Sequence, residues 1–290
     1  MCFAVLVDEK RSILPNIVTM PKKVPKKAFP DYEHPPVVER VATIRAPIAE
    51  ESYVSRMDAW QELVEPEFPV FEPLAEWKVS VQQSGNQAVV DPTQGQVVVV
   101  PRFSKRASTE GFDWSIRCPK DGFVMNMHSS PSEPRHYSDL TEQCSKWLPR
   151  WMTHFGVRRC TQVELYYVNI LNLQSVEAFI KPGNVIEAAR ILTIFVHVPG
   201  THKTIIPPIN CMVNVALEAE RAATMKIQLV DGPAPSPSLR LDLAAQIALR
   251  PNAQVDEMLH WLDWCHDRIL ERFDVVFTAE AKKSFKPILR

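Results

Sequence analysis

Glycine is scarce in this chain, with eight residues in 290. That scarcity goes with the absence of a phosphate loop, a dinucleotide fingerprint and the glycine-flanked elbow that presents a hydrolase nucleophile. Charge of one sign is also lacking. Lys plus Arg number 33 against 34 Asp plus Glu, so no global field draws the protein to nucleic acid or anionic lipid, and any such binding must be local. Long apolar runs are missing: the longest aliphatic one, Val97 to Val100, is far too short to span a bilayer. The N-terminus lacks the unbroken apolar core of a secretory signal, so a cytoplasmic protein without membrane attachment is expected. Cys2, Cys118, Cys144, Cys160, Cys211 and Cys265 show no C-x-x-C spacing, and three of them fall at apolar-periodic positions. They read as reduced, mostly buried thiols, with no disulfide framework, no metal and no cofactor expected.

What is present is an ordinary globular composition, 46% hydrophobic and 23% charged, on a chain long enough for a large core. Proline is abundant, at 25 residues. Seven of these prolines sit in the stretches 129–136, 205–210 and 231–238, where a fixed φ stiffens the connections. Residues 1–35 differ from the rest. Lys22, Lys23, Lys26 and Lys27 stand among prolines with no acid until Asp31, which predicts a flexible, extended arm able to meet phosphate or an acidic partner.

From residue 36 onward the pattern predicts one α+β domain, with two similar halves at 36–173 and 174–290. Residues 37–46 alternate as a strand. Tyr53, Met57, Trp60 and Val64 recur at helical spacing until Pro66, and residues 74–83 and 96–106 return to strand character. A hairpin is expected around Asp121-Gly122. A helix with Ser138 as N-cap follows, its stripe of Leu140, Cys144, Trp147, Trp151 and Phe155 interrupted by Pro149, where a kink is expected. Residues 161–171 form a strand, and a short helix is expected near 185–192. Three strands and a long helix from about 255 to 273 repeat the logic of the first half as a β-β-β-α pseudo-repeat. Short turns between consecutive strands imply antiparallel sheet, with the helices covering one face.

The stretches HPPVVERVATIR, VELYYVNIL and WLDWCHDRILERFDVVFTAEAKKSF, with LDL ahead of the last, resemble a sporadically distributed, uncharacterised prokaryotic family. The likeness covers roughly residues 34–286. Pro36, Glu39, Tyr167, Asn169, Asp242, His266 and Phe273 fall on the family's recurring positions, and the family brings no established activity to them. Tyr166 stands where its usual pattern has arginine, so any role of that arginine would be lost here. A patchy distribution of this kind implies an accessory or regulatory role.

Candidate site residues are few. His266 shares a helical face with Leu262, Ile269 and Phe273, which makes His266 and Phe273 structural. His260, six residues earlier, points elsewhere and supplies no second metal ligand. The loop from His128 to His136, with Ser129, Ser130 and Arg135, is the one place where a hydrolase site is conceivable, although it lacks the setting of a nucleophile elbow. Asn169, together with Glu164 and Tyr166, is a further candidate: it interrupts an apolar run on the face of Val163, Leu165 and Tyr167. Its amide either ties two strands together or anchors a ligand in a pocket. Trp60, Trp147 and Trp151 lie on helical stripes and read as core rather than as a stacking surface. The leading expectation is therefore a non-enzymatic protein that binds a partner protein through its sheet surface or loop rim. The alternatives are nucleic-acid binding through the arm lysines and hydrolysis at His128–His136. The binding candidates are Lys22, Lys23, Lys26, Lys27, His128, Arg135, His136 and Asn169.

Overall fold

Successive side chains on a strand point to opposite sides, so the alternation of apolar and polar residues along most strands sorts one large sheet into a core face and a polar face. In the computed structural model the described residues are 31–32, 36–78, 81–84, 87–90, 96–106, 113–130, 133, 135–171, 180–181, 185–186, 188–193, 211–218, 223–231 and 239–288. Lys22, Lys23, Lys26 and Lys27 lie outside them, as do 205–210 and 232–238.

The strands in chain order are β1 (Asp31–Tyr32), β2 (Val37–Arg45), β3 (Val70–Lys78), β4 (Val81–Ser84), β5 (Gln87–Val90), β6 (Gln96–Ser104), β7 (Trp114–Arg117), β8 (Gly122–His128), β9 (Gln162–Leu171), β10 (Ile180–Lys181), β11 (Val185–Ile186), β12 (Cys211–Glu218), β13 (Ala223–Asp231), β14 (Leu239–Ala248) and β15 (Pro287–Ile288). The helices are α1 (Glu50–Val64), α2 (Tyr137–Phe155), α3 (Ala188–Ile191), α4 (Val255–Val276) and α5 (Ala279–Ser284).

Among the described residues the main sheet has nine strands in the order β12-β13-β14-β9-β2-β8-β7-β6-β3, with antiparallel neighbours throughout. The fold is α+β, and strands from both halves of the chain share this one sheet. Its centre is the β2–β9 pair. The meander β6-β7-β8 lies beyond β2 and the meander β14-β13-β12 beyond β9, and a long helix follows each meander in the chain.

Both long helices pack on the core face. On α2 the residues Leu140, Cys144, Trp147, Trp151 and Phe155 are buried, and on α4 Met258, Leu262, Cys265, Ile269 and Phe273, at spacings of three and four that make one stripe per helix. Against them the strands bring Phe123, Met125 and Met127 from β8, Val163 and Leu165 from β9, and Leu241, Leu243, Ala245 and Ile247 from β14. Each fully buried side chain of this size is worth about 1.5–3 kcal/mol. Trp60 of α1 joins the same core edge-on to Trp147, with ring centroids 6.1 Å apart. Cys118, Cys144, Cys160 and Cys265 are free and buried. No described helix is long and apolar enough to cross a membrane.

Three local expectations change. The N-cap of α2 is His136 rather than Ser138, because the Asp139 carboxylate accepts the His136 backbone N–H at 2.7 Å and starts the helix two residues earlier. Helix α2 then runs through Pro149 to Phe155 and ends at Gly156, whose φ of 67° suits glycine. The β7–β8 hairpin turn is closed by the Gly122 N–H on the Pro119 carbonyl at 3.1 Å, so Asp121-Gly122 ends the turn rather than centring it. Gly122 is already in β8, where a Cβ would lie 2.5 Å from the Ile44 carbonyl oxygen. Near residues 185–192 the helix is only Ala188–Ile191, and Val185–Ile186 instead pairs with Ile180–Lys181.

Candidate functional site

The polar face of the sheet bears Glu39, Val41, Thr43 and Arg45 from β2. The ladders set these beside Asn126 and Val124 of β8 and Glu164 and Tyr166 of β9. Farther out, Ser115 and Arg117 of β7 and Arg102 of β6 continue the same surface. From β9 to β3 there are five strand-to-strand steps, which would separate them by about 24 Å in a flat sheet. Yet Leu74 of β3 and Tyr166 of β9 line one cleft of about 380 Å³. The sheet therefore curls, and its polar face becomes a trough.

Curling buries polar groups that none of the described helices covers. Ser115 is fully buried and Asn126 is 5% exposed. They face each other directly across the β7–β8 ladder. Asn126 Nδ2 donates to Glu39 Oε1 at 2.5 Å, which fixes the amide orientation because a carboxylate only accepts. Asn126 Oδ1 and Ser115 Oγ then have no hydrogen-bond partner among the described residues. Leaving such groups unsatisfied costs about 1–3 kcal/mol each. The Glu164 side chain also has no hydrogen bond or ion pair among the described residues, whereas Arg102 is paired with Glu72 and Arg45 with Asp121 at 3.2 Å.

At the β9 side the polar face continues into a satisfied network. Tyr166 donates its hydroxyl to Asp242 Oδ2. Arg240 donates from Nε to Asp242 Oδ1 at 2.8 Å and from Nη2 to the Tyr166 hydroxyl at 3.1 Å. Burial raises the Tyr166 pKa, and the Asp242 hydrogen bond adds to this. The hydrogen bond to Asp242 raises that of Arg240. Asp242, only 3% exposed, is thus held by two donors, and Tyr166 is locked in place.

His266, the 128–136 loop, Asn169 and Phe273 fall elsewhere. His266 lies under the sheet on the helix side. Tyr167 OH and His266 Nδ1 are 2.7 Å apart, and the Tyr137 ring stacks on the imidazole at a centroid distance of 3.9 Å. Tyr137 OH donates to Asp263 Oδ1 at 3.1 Å. Arg40 lies over the Tyr167 ring and donates to Ser129 Oγ at 3.3 Å. Burial raises the pKa of both tyrosines, and the Arg40 charge partly opposes this at Tyr167.

In the 128–136 loop, Ser129 Oγ bonds to Arg40 and to the Arg135 backbone, not to a histidine. Arg135 pairs with Glu133 at 2.6 Å and lies over Trp114. His136 caps α2, and His128 ends β8 opposite Glu39. Asn169 is fully buried, and its Nδ2 donates to the Leu241 carbonyl at 2.9 Å, tying β9 to β14. Phe273 packs among Tyr32, Phe277 and Phe285.

Of the trough residues, Glu164 and Tyr166 drew notice in the sequence beside Asn169, whereas Ser115 and Asn126 did not. The one available signal was the alternation of β2, where Glu39, Thr43 and Arg45 share a side that the burial pattern of a one-sided sheet leaves open. Among the described residues no group of three His, Cys, Asp or Glu side chains is placed to hold a metal ion. Compared with known proteins, the chain matches no family model, no curated protein and no solved structure.

Proposed function

We propose that this is a non-enzymatic binding protein that engages a partner protein across the open side of its sheet, the trough receiving a polar side chain of that partner. The observation that carries the reading is the buried pair Ser115 and Asn126, each with a polar atom lacking a partner and both lining the cleft. Such atoms are costly in a finished fold and useful in a site completed by a ligand.

A protein occupant is supported by the ribbon of β3 and β6 that forms one wall. On its other side Phe71 is 46% exposed, Val97 55% and Val99 61%, and the register places Phe71 and Val99 on one face through their partners Phe103 and Ala75. Exposed apolar surface of this kind suits a protein contact, here reached round the β3 edge of the sheet from the trough. Membership of the sporadically distributed family and a cytoplasmic location belong with this proposal. The nucleic-acid reading rests on the sequence of the arm alone.

The test is affinity capture from the native host at near-physiological salt, with tagged full-length protein and two variants, Glu164→Lys in the trough and Val99→Asp on the ribbon. One protein retained stoichiometrically by the wild type and lost from both variants, at unchanged melting temperature, supports the proposal. Equal retention by all three baits contradicts it.

A further inference from the structure

The trough is acceptor-rich, and that narrows what it receives. We infer that it binds a cationic side chain of its partner, an arginine guanidinium, between Glu164 and the Ser115–Asn126 pair; this rests on the trough being the binding site.

The inference comes from which polar capacity is already used. The cleft is lined by Arg45, Arg102 and Arg117 and by the carboxylates Glu39 and Glu164, which by formal charge alone would favour an anion. The pairing reverses that expectation. Arg102 is bound to Glu72, which stands directly opposite it on β3, and Arg45 is bound to Asp121. Arg117 also has an interaction of its own within the protein. A guanidinium already paired with a carboxylate offers little attraction to a second anion.

Two buried donors in the cleft, Arg102 Nε and Arg117 Nε, also make no hydrogen bond among the described residues, but the open charge and most of the open capacity are of the other kind. Glu164 is a carboxylate with no partner among the described residues, and Glu39 is engaged by Asn126 through Oε1. Asn126 turns Oδ1, a pure acceptor, away from Glu39, and Ser115 Oγ has lone pairs to offer. These groups are spread over the four neighbouring strands β9, β2, β8 and β7 rather than gathered at a point. Asn126 is on β8 and Glu164 on β9, with β2 between them. A guanidinium, with five N–H donors in a planar fork, suits dispersed acceptors better than the compact ammonium of lysine. Val41 and Leu74, on opposite walls of the cleft, give the methylene stem an apolar path.

The probe is the peptide acetyl-Gly-Arg-Gly-amide, titrated into isotopically labelled full-length protein and followed by amide chemical shifts. The controls are the same peptide with citrulline, lysine or glutamate in place of arginine. Saturable shifts centred on residues 115, 126 and 164 are expected from the arginine peptide. The citrulline peptide should bind about tenfold or more weakly, since it keeps the shape and loses the charge. Glu164→Gln should weaken the arginine peptide by a similar factor, with its melting temperature unchanged.

Tighter binding of the glutamate peptide, or equal binding of citrulline and arginine, would overturn the cationic assignment while leaving the trough as the binding site. An absence of saturable shifts from every peptide up to its solubility limit would also overturn it, and the capture experiment above then decides separately whether the trough binds a partner at all.

Discussion

Tyr167 on β9 and His266 on α4 are joined across the sheet-helix interface, phenol oxygen to imidazole Nδ1 at 2.7 Å, with the Tyr137 ring stacked on the imidazole. Because burial keeps the Tyr167 hydroxyl protonated, its proton needs an acceptor, and Nδ1 is placed to be that acceptor. His266→Ala is expected to destabilise the fold by about 1–3 kcal/mol, through the orphaned hydroxyl and the lost stacking. Tyr167→Phe combined with His266→Ala should cost less than the sum of the two single changes. Denaturant unfolding of the three variants checks this, and additive effects would show that the two residues are not coupled.

Gly122 opposes Arg45 on β2, and a Cβ there would lie 2.5 Å from the Ile44 carbonyl oxygen, a backbone atom that cannot move aside cheaply. Gly122→Ala should cost about 1–3 kcal/mol by overpacking. The melting temperature measures it, with Gly156→Asn as a comparison, since φ is positive at position 156 and asparagine tolerates that conformation better than most residues.

Glu257 lies in the first turn of α4, 3% exposed, and accepts two hydrogen bonds from Arg250 at 2.8 and 3.0 Å. Arg250→Ala strands a buried carboxylate, and a loss of about 1–3 kcal/mol at neutral pH is expected. Arg250→Ala with Glu257→Gln should recover part of that loss, because the amide is cheaper to bury unpaired. Urea midpoints of the single and double variants decide it.

The buried thiols set an alkaline limit. Burial raises the pKa of Cys160 from 9.0 to about 11 and that of Cys144 from 9.0 to about 12. Above pH 9 the unfolded chain loses thiol protons that the folded chain keeps. The stability these thiols contribute is therefore complete below pH 9 and is lost as the pH rises through about 11 and 12. The melting temperature should fall steadily from pH 9 upward, and Cys144→Ala should make that fall shallower. A fall of equal steepness in Cys144→Ala would contradict the assignment for that thiol.

Much of the architecture was legible because it depends on period. The stripe Leu140, Cys144, Trp147, Trp151 and Phe155 and the alternation of Leu241, Leu243, Ala245 and Ile247 each predict the element that forms and the side that is buried. What periodicity lacks is the direction of curl. Thr43 and Ser115 alternate as solvent-facing residues would, yet they are 6% and 0% exposed because the sheet bends round them. Attention to the rare residue types, histidine above all, pointed to His128, His136 and His266. The trough is made of commonplace ones, Ser115, Asn126, Glu39 and Glu164, whose proximity depends on pairing among β2, β7, β8 and β9. The cap of α2 was misplaced for a related reason, since Asp139 reaches back to the His136 backbone and histidine is not an ordinary N-cap residue.

The most direct test of the trough as the binding site is hydroxyl-radical footprinting of the full chain, alone and with the captured partner. Tyr166 and Leu74 line the trough and are half-buried, whereas Met152 and Trp264 mark the helix side. The account predicts that the partner protects Tyr166 and Leu74 and leaves oxidation of Met152 and Trp264 unchanged. Protection confined to Met152 and Trp264, with Tyr166 and Leu74 oxidised as in the free protein, would contradict it.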